Sequence, residues 1–65
     1  MVKSRLKVMR LQKGITQEEL ARITNVTTRT IQNMEKMPNA NIKVLFAIKK
    51  ALQLKTIEEL FEETD

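Results

Sequence analysis

A run of hydrogen-bonding and charged side chains lies near the middle of the chain, at the spacing of one helical face. It comprises Thr28, Arg29, Gln32, Asn33 and Lys36. Ile31 and Met34 alternate with them, three residues apart, as the inward-facing positions of the same helix would. Hydroxyl, amide and guanidinium groups can hydrogen-bond the edges of base pairs, and the major groove of DNA admits an α-helix. The pattern therefore predicts a helix suited to contact with DNA bases.

Arg29 is the strongest candidate for a base contact. Its guanidinium can donate two parallel hydrogen bonds to O6 and N7 of guanine, which is worth about 1–3 kcal/mol of discrimination. The alternative is a surface arginine that touches only phosphate, and the residues alone leave the two roles equally open. Asn33 suits adenine, and the methyl group of Thr28 suits the methyl group of thymine.

The preceding segment predicts another helix at about residues 17–24. Thr16 can cap its first turn, and Glu19, three residues later, completes a capping box. Its apolar face is expected to consist of Leu20, Ala21 and Ile23. Asn25 is the predicted bend, because asparagine tolerates a left-handed backbone better than most residues other than glycine. Thr27 then caps the helix at about 28–36, and a contact with DNA is a second role open to its hydroxyl.

Three further helices complete the predicted fold, which is all-α, with five short helices around one core. The first spans about residues 4–13 and ends at Gly14, in a left-handed C-cap position. Asn41 caps the fourth after the loop 37–40, and Thr56 caps the fifth. The residues of these helices expected to face the core are Leu6, Met9, Ile42, Leu45, Phe46, Ile48, Leu52, Ile57, Leu60 and Phe61. No segment alternates as a strand would.

The composition argues against several kinds of chemistry. The chain has 65 residues, so we expect one domain over residues 1–65 with a small core. It contains no Cys and no His, which removes disulfides, thiol nucleophiles and the commonest general base and metal ligand. No nucleophile–base pair or metal constellation is recognisable, so no enzyme activity, cofactor, metal or small-molecule ligand is expected. The absence of a long apolar run and of a signal-peptide core predicts a cytoplasmic protein without membrane contact.

Positive charge is concentrated in the first part of the chain. Residues 1–36 carry eight basic and three acidic side chains, whereas residues 37–65 carry four basic and five acidic ones. Because the basic part contains the helix at 28–36, the asymmetry favours a polyanionic partner. A solvated, lysine-rich surface would give the same distribution, so charge alone leaves both interpretations open. Three lysines are expected to contribute only long-range attraction to such a partner, namely Lys3, Lys7 and Lys13.

Taken in order, these features resemble the helix-turn-helix domain of phage Cro and CI-type repressors and their bacterial relatives. The resemblance covers about residues 4–61. The motifs that carry it are Met9-Arg10, Gly14-Ile15, Thr16-Gln17-Glu18-Glu19-Leu20-Ala21, Val26, residues 27–34 with the inward Ile31, Glu35, Ile42 to Leu52 and Leu54-x-x-Ile57-x-x-Leu60-Phe61.

The chain departs from the family pattern at four places. Asn25 replaces the usual glycine of the turn, and Gln53 replaces another common glycine. Thr24 stands where the family prefers Leu or Val, next to the apolar Ile23 at a usually polar position. The loop after Glu35 lacks the usual Asn-Gly and is one residue short.

The resemblance implies a set of DNA contacts. Base contacts are expected from Thr27, Thr28, Arg29, Gln32 and Asn33. Gln32 is the weakest of these, because its position usually faces along the groove wall. Contacts with the DNA backbone are expected from Gln17, Lys36, Asn39, Asn41 and Lys43. Arg10 and Glu35 are expected to form a partly buried structural ion pair between the first helix and the end of the third.

The implied function is sequence-specific binding of double-stranded DNA by a transcriptional regulator, most simply a Cro-like repressor that acts by occupying an operator. Such proteins usually bind inverted repeats as homodimers. The dimer surface is expected at Leu54, Ile57 and Phe61, unless those residues only close the monomer core. The competing function is a protein-interaction module, such as an antitoxin or anti-regulator; the basic residues around the third helix favour DNA.

Overall fold

The computed structural model describes residues 2–37 and 41–63, which form four α-helices, a 3₁₀ helix and a small sheet. The elements in chain order are β1 (Val2–Ser4), α1 (Leu6–Gln12), α2 (Gln17–Thr24), α3 (Thr28–Lys36), α4 (Ile42–Ala51), the 3₁₀ helix (Ile57–Leu60) and β2 (Phe61–Glu63). The two strands pair antiparallel. No helix within the described residues is both long and apolar enough to cross a membrane.

The predicted helix-turn-helix is present, and its ends follow from local chemistry. The hydroxyl oxygen of Thr16 accepts a hydrogen bond from the backbone N–H of Glu19 at 3.0 Å, which caps α2. Asn25 adopts the left-handed conformation at φ 58° and ψ 43° and ends that helix. Thr27 caps α3 in the same way as Thr16, accepting from the N–H of Thr30 at 3.2 Å. The predicted bounds of both helices are therefore confirmed.

One core joins all four α-helices and the 3₁₀ helix. Its buried hydrophobic residues are Leu6, Leu20, Ala21, Ile31, Met34, Leu45, Ile48, Leu52 and Leu60. The apolar face predicted for α2 is partly wrong, because Ile23 is 56% exposed whereas Thr24 is buried. The Thr24 hydroxyl donates to the carbonyl oxygen of Leu20 at 2.7 Å, which satisfies it inside the core.

The apolar face predicted for α4 is also too wide. Leu45, Ile48 and Leu52 are buried, but Ile42 and Phe46 are 56% and 53% exposed. Residues at i, i+3 and i+7 form one stripe along a helix, and this stripe is the buried one, with Val44 and Ala51 partly buried against the core at its side. Ile42 and Phe46 lie one turn apart on a neighbouring stripe that faces solvent.

The predicted all-α class holds, but both ends of the described chain differ from the predicted five-helix arrangement. Residues 2–4 pair with residues 61–63 in the register Val2↔Glu63, Lys3↔Glu62 and Ser4↔Phe61. The N–H of Arg5 donates to the carbonyl oxygen of Leu60 at 2.8 Å and continues this pairing. The backbone after Leu60 thus bonds β1 instead of extending a helix, so the predicted fifth helix is a single 3₁₀ segment. For the same reason α1 begins at Leu6, two residues later than expected.

The 3₁₀ helix is capped by a carboxylate. Glu59 Oε2 accepts hydrogen bonds from the backbone N–H groups of Lys55 at 2.6 Å and Thr56 at 2.9 Å. The bond from Thr56 is the main cause that lowers the pKa of Glu59, and the N–H and charge of Lys55 act in the same direction. Both bonds favour the ionised carboxylate.

Candidate nucleic-acid interface

The outward face of α3 presents the side chains that the sequence singled out. Arg29, Gln32, Asn33 and Lys36 are exposed and Thr28 is half-buried. The opposite face is buried in the core through Ile31 and Met34, which fixes the rotation of the helix. The structure therefore brings the predicted base-contact residues of α3 together on one solvent-facing surface.

Thr27 acts as a cap, and its hydroxyl is shared with a residue that the sequence reasoning missed. Besides accepting from the N–H of Thr30, the Thr27 hydroxyl lies 2.9 Å from the Thr30 hydroxyl. The Thr-x-x-Thr spacing at the start of α3 was the available signal, since side chains three apart meet on a helix. Any DNA contact by Thr27 has to share the same oxygen.

Arg10 and Glu35 join α1 to the end of α3. Arg10 Nε donates to Glu35 Oε2 at 2.7 Å, and only 9% and 7% of the two side chains are exposed. Arg10 Nη1 also donates to the carbonyl oxygen of Ile15, again at 2.7 Å, which fixes the segment that leads into α2. One guanidinium thus holds three parts of the chain, and the orientation of α3 depends on it.

Gln17, at the start of α2, is held by the same carboxylate. Its Nε2 donates to Glu35 Oε1 at 3.0 Å, and its Oε1 accepts from Nε2 of Gln32 at 3.4 Å. A chain of polar contacts therefore runs from Arg10 through Glu35 and Gln17 to the outward face of α3. The first residue of α2 and the exposed face of α3 are positioned relative to each other through side chains.

The other predicted backbone contacts lie at the ends of helices. Lys36 is exposed in the last turn of α3, and Lys43 is exposed in the first turn of α4. Asn41 caps α4, where its Oδ1 accepts from the N–H of Val44 at 3.3 Å. Asn39 lies outside the described residues.

The exposed cations of this surface are available to an external anion. Within residues 2–37 and 41–63, the one ion pair closer than 4 Å joins Arg10 to Glu35. Among the described residues, no carboxylate therefore lies within 4 Å of the charged groups of Arg29, Lys36 and Lys43. Unpaired cations beside a helix with exposed amides and hydroxyls fit a polyanion better than an apolar ligand.

The predicted dimer residues lie at the opposite end of the chain. Leu54, Ile57 and Phe61 each pack against the core and are partly buried. They cover core residues, and each keeps some exposed apolar surface.

A family model for helix-turn-helix proteins matches residues 6–60, which is most of the chain. No curated protein matches the chain.

Proposed function

The chain belongs to the Cro/CI-type helix-turn-helix family, whose domains bind DNA as transcription regulators, and we propose that it is a Cro-like repressor. In this proposal α3 lies in the major groove of a specific operator, and occupancy of that operator excludes polymerase. The observation that carries it is the outward face of α3, where Arg29, Asn33 and Lys36 lie exposed while Ile31 is buried behind them. Lys36 has no ion-pair partner among the described residues.

The proposal divides the site residues into two groups. Sequence is read by α3, with Arg29 as the main base contact and Thr28 and Asn33 beside it. Weaker base contacts are assigned to Thr27 and Gln32. Position on the duplex is fixed by contacts with phosphates, which carry no sequence information directly. The residues assigned to the phosphates are Gln17, Lys36, Asn39, Asn41 and Lys43.

The proposed repressor is a single domain over residues 1–65 that acts in the cytoplasm and binds DNA as a homodimer. Two copies of α3 related by a twofold axis would meet half-sites ~34 Å apart on an inverted repeat. Leu54, Ile57 and Phe61 are the proposed contact between the copies. Each of the three is only partly buried against the core, and the apolar surface that stays exposed supports this assignment.

A second function, binding of a partner protein, is favoured by one observation. Ile42 and Phe46 lie one turn apart on α4 with more than half of each side chain exposed. Contiguous exposed apolar surface marks protein contacts, and these two side chains contribute such surface side by side. The exposed pair comprises only two residues, and Asn41 and Lys43 beside Ile42 are assigned to phosphate contacts, so this function ranks second.

The division of labour can be tested with two alanine variants measured on a panel of operator variants. Arg29→Ala should relax the preference at one base position, with a loss of about 1–3 kcal/mol on the best sequence. Gln17→Ala should weaken binding to all sequences to a similar extent. Thermal unfolding of both variants controls for folding, because Gln17 also contacts Glu35. Equal losses on every sequence for both variants would refute the assignment.

A further inference from the structure

A polar surface cleft of about 390 Å³ lies beside the proposed base-reading face. It is lined by Lys7, Gln17, Gln32, Glu35 and Lys36, so α1, the start of α2 and the second half of α3 all contribute to it. Lys7 was expected to supply only long-range attraction. The structure instead places it in one cleft with Gln17 and Lys36, two residues assigned to phosphate contacts.

The cleft is positively charged although an acidic residue lines it. Both carboxylate oxygens of Glu35 are engaged, Oε2 by Arg10 at 2.7 Å and Oε1 by Gln17 at 3.0 Å. Lys7 and Lys36 are exposed, and in the part of the chain that the structure describes neither lies in an ion pair. Arg10 therefore balances the charge of Glu35, which leaves two uncompensated ammonium groups on the lining.

The carboxylate also fixes which way the amides of the cleft face. An ionised carboxylate can only accept hydrogen bonds, so Gln17 must present its NH₂ group to Glu35. Its Oε1 is then left for the NH₂ group of Gln32, as observed. Each amide nitrogen carries two hydrogens and uses one in this chain, so Gln17 and Gln32 each retain one N–H for an external acceptor.

We propose that this cleft binds a single phosphate of the DNA backbone between Lys7 and Lys36, with the remaining N–H of Gln17 as a hydrogen-bond donor. This revises the weaker base contact assigned to Gln32 above. Gln32 acts instead as a positioning residue, which supports the Gln17 amide in the donating orientation that Glu35 sets, and does not read a base. A site with two ammonium groups and oriented N–H donors matches an oxyanion. The inference rests on the proposed DNA-binding function and adds Lys7 to its contacts.

The experiment measures binding to one duplex over a range of salt concentrations for wild type, Lys7→Gln and Lys13→Gln. Lys13 is exposed, loses the same charge and does not line the cleft, so it is the matched control. Each phosphate contact contributes about 0.9 to the slope of log affinity against log salt. Because Lys36 remains beside the same phosphate, Lys7→Gln should lower the slope by up to about 0.9 and weaken binding by up to about eightfold near 0.1 M salt. Lys13→Gln should lower the slope by less than half of that amount, and Lys7→Arg should restore it.

Gln32→Ala tests the positioning role with a different measurement. It should weaken binding to all sequences alike, as Gln17→Ala does, and leave the selected sequence unchanged. A changed preference at one base pair would instead make Gln32 a base contact and overturn its assignment.

The outcomes separate this inference from the proposed function. Equal salt slopes for Lys7→Gln and Lys13→Gln would overturn the proposed phosphate site in the cleft while leaving the proposed DNA binding intact. Displacement of DNA by inorganic phosphate, with the salt slope unchanged in Lys7→Gln, would assign the cleft to a free anion and also overturn the inference. Absence of salt-dependent duplex binding by wild type would defeat the proposed function itself.

Discussion

The ion pair between Arg10 and Glu35 makes a strong prediction about stability. Because 9% and 7% of the two side chains are exposed, removing one partner leaves the other charged group buried without compensation. Breaking a buried pair in this way typically costs about 3–5 kcal/mol. A domain of this length has a total free energy of unfolding of only about 3–10 kcal/mol. Arg10→Met or Glu35→Gln should therefore bring the protein close to its unfolding threshold.

The double variant separates a buried charge from ordinary packing. Replacing both members of a buried ion pair with apolar residues is often neutral or stabilising. Arg10→Met combined with Glu35→Met should therefore be more stable than the sum of the two single changes predicts, by at least about 2 kcal/mol. Part of the loss should persist, because the carbonyl oxygen of Ile15 and the amide of Gln17 also lose partners.

The assay is urea unfolding followed by far-UV circular dichroism. The midpoint and the slope of the unfolding transition are fitted for the wild type, for the single variants Arg10→Met, Glu35→Gln and Glu35→Met, and for the double variant. A shifted midpoint at constant slope reports a change in stability and not in the compactness of either state. Single losses below about 1 kcal/mol that add in the double variant are the values of an exposed pair, and they would contradict a buried one between Arg10 and Glu35.

Three further changes test local features of the fold. Gln53 has a φ of 58°, so Gln53→Gly should raise the free energy of unfolding by about 0.5–1 kcal/mol, as measured by urea unfolding. Thr27→Ala should lower it by about 1 kcal/mol through loss of the α3 cap, while Thr27→Ser should retain the wild-type value. The pKa of Glu59 is lowered in the folded state by the N–H bonds of Thr56 and Lys55. The ionised carboxylate therefore stabilises the fold above its unfolded-state pKa, and this stabilisation disappears as pH falls through the folded-state pKa. The stability difference between wild type and Glu59→Gln should therefore shrink on acidification from about pH 6 to about pH 3, and a constant difference would contradict the pKa shift.

The helix-turn-helix could be predicted from sequence because its signals are local. Thr16 and Thr27 cap helices within three residues of themselves, and Asn25 supplies the left-handed bend. The outward face of α3 followed from the period of Ile31 and Met34, whose burial fixes where their neighbours point. Helical spacing alone was enough for these features.

The features that the sequence did not predict have a common cause, since each depends on tertiary structure. The strands at residues 2–4 and 61–63 are too short to show alternation, and their pairing is fixed only when the two ends of the chain meet. Three apolar residues of α2 and α4 are exposed, namely Ile23, Ile42 and Phe46. The face of a helix that meets the core depends on the elements packed against it, which helical spacing does not reveal. The cleft between Lys7 and Lys36 joins residues far apart in sequence, and no local pattern predicts it.

Sequence-specific binding of DNA by α3 is best tested by selection from a random library of duplex DNA, followed by salt titration on the enriched sequence. If a homodimer reads an operator through α3, the selection should enrich an inverted repeat with half-sites about 10 bp apart. Its affinity should fall steeply with salt while remaining well above that of non-specific binding. Weak, salt-sensitive binding without an enriched motif would contradict this prediction, because the exposed face of α3 would then carry charge without reading sequence.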